Sequence, residues 1–150
     1  MFIHKGYRLP HDLPLLSSVF FLLTYYTMLL KMSPIQDVIS LIERNCSPNK
    51  LKTETSPSEY IVLKKVYRAA TFFIRRIWRS SRPCLRRTLI LHRWCCHYGI
   101  LSKVIIGVHK KDSNLKSHAW LEIDGQPFME KQERLSIYTP IFGEKTMSDF

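Results

Sequence analysis

The stretch Leu101–His109 (LSKVIIGVH), Lys110–Lys116 (KKDSNLK), Ser117–Ile123 (SHAWLEI), Asp124-Gly125 and Gln126 onward decides the fold class. Its β-branched run, polar turn and second run of alternating side chains read as two antiparallel strands. Asp-Gly is a hairpin signal, because both positions of a tight turn need positive φ. A returning strand is then expected from Gln126 to about Lys131. Before Gly99 the apolar segments have a helical period instead. Helices followed by an antiparallel meander make an α+β chain.

Working outward, a helix runs from near Cys84 through Leu85, Leu89, Ile90, Leu91 and Trp94 to a stop at Tyr98-Gly99. Arg79-Ser80-Ser81-Arg82-Pro83 breaks it from an earlier amphipathic helix, Glu59 to about Trp78, with Ile61, Val62, Val66, Ala69, Phe72, Phe73 and Ile77 apolar. Pro34–Asn45 is a further helix, with Ser33 as its cap. Between them, residues 46–58 (CSPNKLKTETSPS) carry two Ser-Pro pairs and read as a linker. The expected organisation is therefore an N-terminal helical segment, 1–45, packing on the core or on a partner, the linker 46–58, and a core at 59–150. With 150 residues and eighteen aromatics, one folded unit is expected.

Leu15–Leu30 (LLSSVFFLLTYYTMLL) is the most apolar segment. Sixteen residues rise about 24 Å as a helix, short of the roughly 30 Å hydrocarbon core. Ser17, Ser18, Thr24 and Thr27 interrupt it, and Leu30-Lys31-Met32-Ser33 supplies no small-residue cleavage site. A packed or partner-binding helix is expected, membrane-adjacent at most.

The chain carries 23 Lys and Arg against 12 Asp and Glu, a net charge of +11. Thirteen basic residues and no acidic one fall between Lys64 and Lys111. Such a stripe attracts an anionic partner or is simply a solvated face. Cys46, Cys84, Cys95 and Cys96 do not form a spread disulfide framework, and neighbouring Cys residues bridge poorly. All four are expected as thiols in a reducing cytosol.

Two constellations carry chemistry. With Ser81 as cap and Pro83 at the first helical position, Cys84 falls in the first turn, where free N–H groups and the helix dipole favour an anion. Arg82, Arg86 and Arg87 add positive charge. These conditions produce a nucleophilic thiolate, and the same N–H groups suit an oxyanion. The imidazole partner is expected to be His118, on the second strand of the meander. An orienting carboxylate then depends on hairpin register. A two-residue Asp124-Gly125 turn pairs Ile123 with Gln126 and sets His118 opposite Lys131. A three-residue loop pairs Glu122 with Gln126 and sets His118 opposite Glu130. A role for Glu130 therefore calls for the bulged register. The plainer reading makes Cys84 a small buried hydrophobe and His118 a satisfied half-buried histidine. The competing set is His92, Cys95 and Cys96, one helix face, with His97 behind. It could offer soft metal ligands, but no second cluster of finger-like spacing accompanies it. The expectation is therefore packing and no metal.

Ser81-Arg82-Pro83-Cys84-Leu85-Arg86-Arg87-Thr88-Leu89-Ile90-Leu91, Tyr98-Gly99-Ile100 leading into Val104–Val108, and His118–Gly125 together resemble the transglutaminase-like cysteine proteases that process lasso peptide precursors. The resemblance covers about residues 60–135. It implies a transglutaminase-like (papain-like) core and a leader peptidase acting through Cys84 as nucleophile, His118 as base and acid, and Glu130 as orienting acid. The family usually carries Asp at this last position. It further implies a lasso precursor peptide as substrate and a separate leader-recognition protein, since the chain resembles the stand-alone form. An ATP-dependent macrolactam cyclase would follow, and the bacterial cytoplasm is the expected setting, with membrane-surface contact possible. No cofactor is expected in this chain, because no nucleotide-binding motif occurs; any ATP requirement belongs to a partner. Two alternatives remain open: a non-catalytic basic module for nucleic acid or membrane, with nucleic acid supported by charge alone, and a transamidase sharing the same thioester.

Overall fold

The computed structural model describes residues 11–46, 52, 54–79 and 83–143. Helices α1 (Leu13–Met32), α2 (Ile35–Arg44) and α3 (Pro57–Phe73) are followed by a π-helical turn, Ile74–Trp78, and by α4 (Pro83–Tyr98). Then come β1 (Ser102–Lys111), β2 (Asn114–Ile123), β3 (Gln126–Pro127), the short α5 (Gln132–Leu135) and β4 (Thr139–Phe142). The four strands form one antiparallel sheet in the order β3-β2-β1-β4. The α+β arrangement of helices first and antiparallel sheet second is the one read from the sequence.

The helices cover one face of the sheet. Leu16, Val19 and Leu23 of α1, Val38 and Ile42 of α2, Leu63 and Val66 of α3, and Leu89 and Ile90 of α4 share one buried cluster with Val104, Ala119, Leu121 and Ile123 of the sheet. Alternation along β2 sends Trp120 to the other face, where it packs with Ile105, Leu135 and Tyr138 in a smaller cluster. Gly107, across from His118 in the register, is needed there: a Cβ on it would lie 2.8 Å from the Tyr138 Cβ and 3.0 Å from the Trp120 ring.

Several boundaries differ from the sequence reading, each for a physical reason. Helix α3 starts at Pro57 and not at Glu59. Ser56 caps it and Glu59 closes a capping box, its carboxylate accepting from the Ser56 N–H at 3.0 Å. One Ser-Pro pair of the expected linker is thus a helix start. Helix α1 has 20 residues instead of sixteen, long and apolar enough to cross a membrane by length and composition, with 22% of its apolar window buried. Strands β1 and β2 extend to the Lys111↔Asn114 pair, so the expected seven-residue turn shrinks to Asp112-Ser113, with Asp112 at φ 55°. Strand β4 was not anticipated; it pairs with β1 through Gly107↔Pro140 and Val108↔Thr139.

The cysteine expectation is corrected. Cys46 and Cys96 form a disulfide, with Cα atoms 5.0 Å apart, while Cys84 and Cys95 are free. The bridge joins the chain just past α2 to the last turn of α4, a proximity that only helix packing creates. Cys96 is therefore not available beside His92 and Cys95 as a ligand. Among the described residues no group of three or more His, Cys, Asp or Glu is placed to hold a metal ion. His92 instead contacts the Ser102 hydroxyl through Nδ1 at 2.8 Å, and its Nε2 lies 3.6 Å from Glu43.

Candidate active site

Cys84 sits in the first turn of α4, after Pro83. The cap expected at Ser81, and the charge expected from Arg82, lie outside the described residues. The far end of the helix closes on Gly99 at φ 70°, where the Gly99 N–H reaches the Cys96 carbonyl and the Ile100 N–H the Cys95 carbonyl. This is a Schellman stop, and it aims the chain into β1.

The hairpin takes the tight register: Ile123 pairs with Gln126 and Glu122 with Pro127. On the sequence argument this should have turned Glu130 away from His118. It does not, because the strand that argument extended to Lys131 ends at Pro127. Phe128 still donates its N–H to the Leu121 carbonyl at 2.8 Å. Met129 then adopts φ 58°, a left-handed conformation rare for a non-glycine residue, and the chain folds back. As a result Glu130 Oε1 lies 3.2 Å from His118 Nε2.

The early end of β3 also leaves the Ala119 stretch of β2 without a strand neighbour on that side. Helix α4 occupies the edge. Thr88 donates its hydroxyl to the Ala119 carbonyl at 3.2 Å and to the Cys84 carbonyl at 2.9 Å. Cys84, His118 and Ala119 line one recess, and the His118 side chain and the Ala119 N–H both act on the Cys84 thiol.

The electrostatics follow from these contacts. Burial raises the Cys84 thiol, but the hydrogen bond from His118 and the N–H groups of Ala119 and Leu85 outweigh it, and the net direction is downward. His118 moves the other way, up to about 9, held first by its hydrogen bond to Cys84, then by the one to Glu130, against the opposing effect of burial. A thiol lowered beside an imidazole raised is the electrostatic pattern that favours a thiolate–imidazolium pair. The imidazole is steadied by rings, Trp120 stacked at 6.1 Å and Tyr138 at 5.5 Å between centroids. A small recess of about 80 Å³, bounded by Ile35, Leu85 and Ile106, opens onto Cys84 and His118.

Sequence reasoning missed three contributors. Arg87 was counted only as positive charge near the thiol. Its guanidinium donates to Glu130 at 3.4 Å and to Thr71 at 3.4 Å, over the Tyr67 ring at 4.4 Å. Thr88 and Tyr138 were not singled out. For Arg87 and Thr88 a signal existed: they stand three and four residues after Cys84, on its face of the helix.

A family model described as the transglutaminase-like superfamily matches residues 24–143. No curated protein and no solved structure matches the chain. The matched span takes in the C-terminal part of α1, the other helices and the whole sheet, and it agrees with the resemblance to lasso peptide biosynthesis proteins. The chain belongs to the transglutaminase-like superfamily, and that membership links it to lasso peptide maturation.

Proposed function

We propose that this chain is a cysteine peptidase that removes the leader from a lasso peptide precursor, with Cys84 as nucleophile, His118 as general acid and base, and Glu130 as the acid that orients His118. The observation that carries the reading is that Cys84, at the start of α4, and His118 line one recess, with Glu130 Oε1 at 3.2 Å from His118 Nε2. In the first half-reaction the Cys84 thiolate attacks the scissile carbonyl and a C–S bond forms. N–H groups of the α4 first turn receive the oxyanion. The His118 imidazolium gives its proton to the departing amine as the C–N bond breaks, which frees the core peptide. Water then attacks the thioester while His118 takes its proton. The leader leaves as a carboxylate and the thiol–imidazole pair is restored.

The partners follow from the same reading: the precursor, a separate leader-recognition protein, and a macrolactam cyclase that takes the freed core. The reaction is assigned to the bacterial cytoplasm, with α1 as the element that would meet a membrane surface. The Cys46–Cys96 bridge is the one feature that runs against a strictly reducing setting.

The test is mass spectrometry of the precursor incubated with this chain and the recognition protein. Leader and core masses are expected with the wild type and lost with Cys84→Ala and His118→Ala. An intact precursor that is still bound would sink the catalytic reading and leave a basic binding component. A leader mass increased by an added amine would assign transamidation.

A further inference from the structure

A second recess adjoins the start of α4. It holds about 260 Å³ and is lined by Thr71, Ile74, Arg75, Arg79, Pro83 and Arg87. Thr71, Arg75 and Arg79 are spaced four residues apart on one side of α3 and the π-helical turn, facing Pro83 and Arg87 on α4. Three arginines line it, in a stretch of chain that has no Asp or Glu from Lys64 to Lys111. Arg87 is partly neutralised by Glu130. Arg75 and Arg79 make no ion pair with any described residue. The backbone around the recess departs from regular helix twice, in the π-helical turn and at Arg79, whose φ of 37° is left-handed for a non-glycine residue. Both departures are of the kind found at functional sites.

We propose that this recess is a subsite for an acidic side chain of the peptide substrate, near the bond opened at Cys84. The inference rests on the peptidase reading and deepens it. Arginine's planar fork matches a carboxylate in two hydrogen bonds, and Arg75 and Arg79, which have no acidic partner among the described residues, supply the charge. Position identifies the source of the carboxylate. Pro83 precedes Cys84 and Arg87 follows it by three residues, a rise of about 4.5 Å. An extended peptide covers about 3.4 Å per residue. A peptide acylating Cys84 therefore presents a side chain to the recess from roughly one to three residues away.

The experiment uses the full chain and peptidyl α-ketoamides on an alanine scaffold, since these electrophiles carry residues on both sides of the reactive carbonyl. Glu or Gln is placed in turn at three positions on each side, and inhibition constants are compared. At one position Glu is expected to bind about tenfold tighter than Gln. In the double variant Arg75→Gln/Arg79→Gln the ratio should fall below about twofold, with the rate of Cys84 alkylation by iodoacetamide unchanged. Equal constants at all six positions, or a Glu preference that survives in the variant, overturns the subsite. Inorganic phosphate that erases the wild-type preference supports it by competing for the same arginines. Phosphate that protects the recess without any Glu preference assigns it to a free anion instead. A Cys84 inert to iodoacetamide defeats the peptidase reading and the subsite together, whereas a reactive Cys84 without Glu preference defeats the subsite alone.

Discussion

Glu130 touches both a cation and a titrating ring, so its charge should be readable in the pH dependence of Cys84. His118 is raised to about 9, and its bond to Glu130 is the second largest cause after its bond to Cys84. Glu130→Gln keeps an acceptor for Nε2 but removes the negative charge. The upper limb of the alkylation or cleavage profile should then fall from near pH 9 by about one unit, and cleavage by about a hundredfold or more. Unchanged limbs in the variant would show that another group orients His118. The sign of the stability effect differs from that of activity. The His118 contribution is full below its unfolded value of 6.5 and is lost as pH rises through about 9. The Cys84 contribution is present above its unfolded value of 9.0 and is lost as pH falls through its lowered folded value. Above both 6.5 and the lowered folded value of Cys84, and below about 9, the folded pair and the unfolded pair each hold one proton, so the pair adds no pH slope to stability there. Activity should decline near pH 9 while the urea midpoint holds. Cys84 and His118 were legible because a helix-start cysteine and a strand histidine are local signals. Glu130 was reached only through a register argument that the structure replaces, since the positive φ of Met129 leaves no mark in the residue type.

Elements were legible where one local signal set them. Gly99 marked the end of α4 and Asp124-Gly125 marked the hairpin. What depended on another element was hidden. The two-residue β3 ends where α4 takes over the β2 edge, and no alternation in Gln126–Lys131 announces that. Strand β4 is short and half-exposed, held by pairing with β1. The same holds for the bridge between Cys46 and Cys96, fifty residues apart. In the chain-entropy account, a loop of that length gives about 4 kcal/mol as an upper figure. Reduction should therefore lower the thermal midpoint markedly, and Cys46→Ser should reproduce the loss with no further effect of reductant. A midpoint indifferent to dithiothreitol in the wild type would show that the two thiols are not bridged in solution. Because the bridge sits at the C-terminal end of α4 and Cys84 at its start, the iodoacetamide rate of Cys84 should survive reduction at temperatures where the fold persists.

At the scale of the molecule the question is whether α1 belongs to the folded body or is a separate apolar segment, which composition alone left open. Its length and apolarity suit a membrane span, yet its inward face is not spare. Leu16, Val19, Leu23 and Tyr26 are buried in the cluster that holds Leu89 and Ile90 of α4, and Asp12, just before the helix, pairs with Lys65 of α3 at 3.0 Å. The outward face is different: Phe21 is 69% exposed and Met32 80%. Two substitutions two residues apart, one on the exposed face and one on the buried face, separate the two characters. Leu23 has no exposed surface, so Leu23→Ala should cost about 3 kcal/mol through lost transfer and a cavity. Phe21→Ser should change stability by less than about 0.5 kcal/mol. Urea unfolding followed by far-ultraviolet circular dichroism, tryptophan fluorescence and Cys84 alkylation gives the readout. One coincident transition, shifted by Leu23→Ala and untouched by Phe21→Ser, is the result expected if helices and sheet fold together. Because Cys84 needs the β2 edge to meet His118, its enhanced reactivity should vanish in that same transition. A Leu23→Ala effect confined to the circular dichroism, with alkylation unaltered, would instead make α1 a unit that melts on its own.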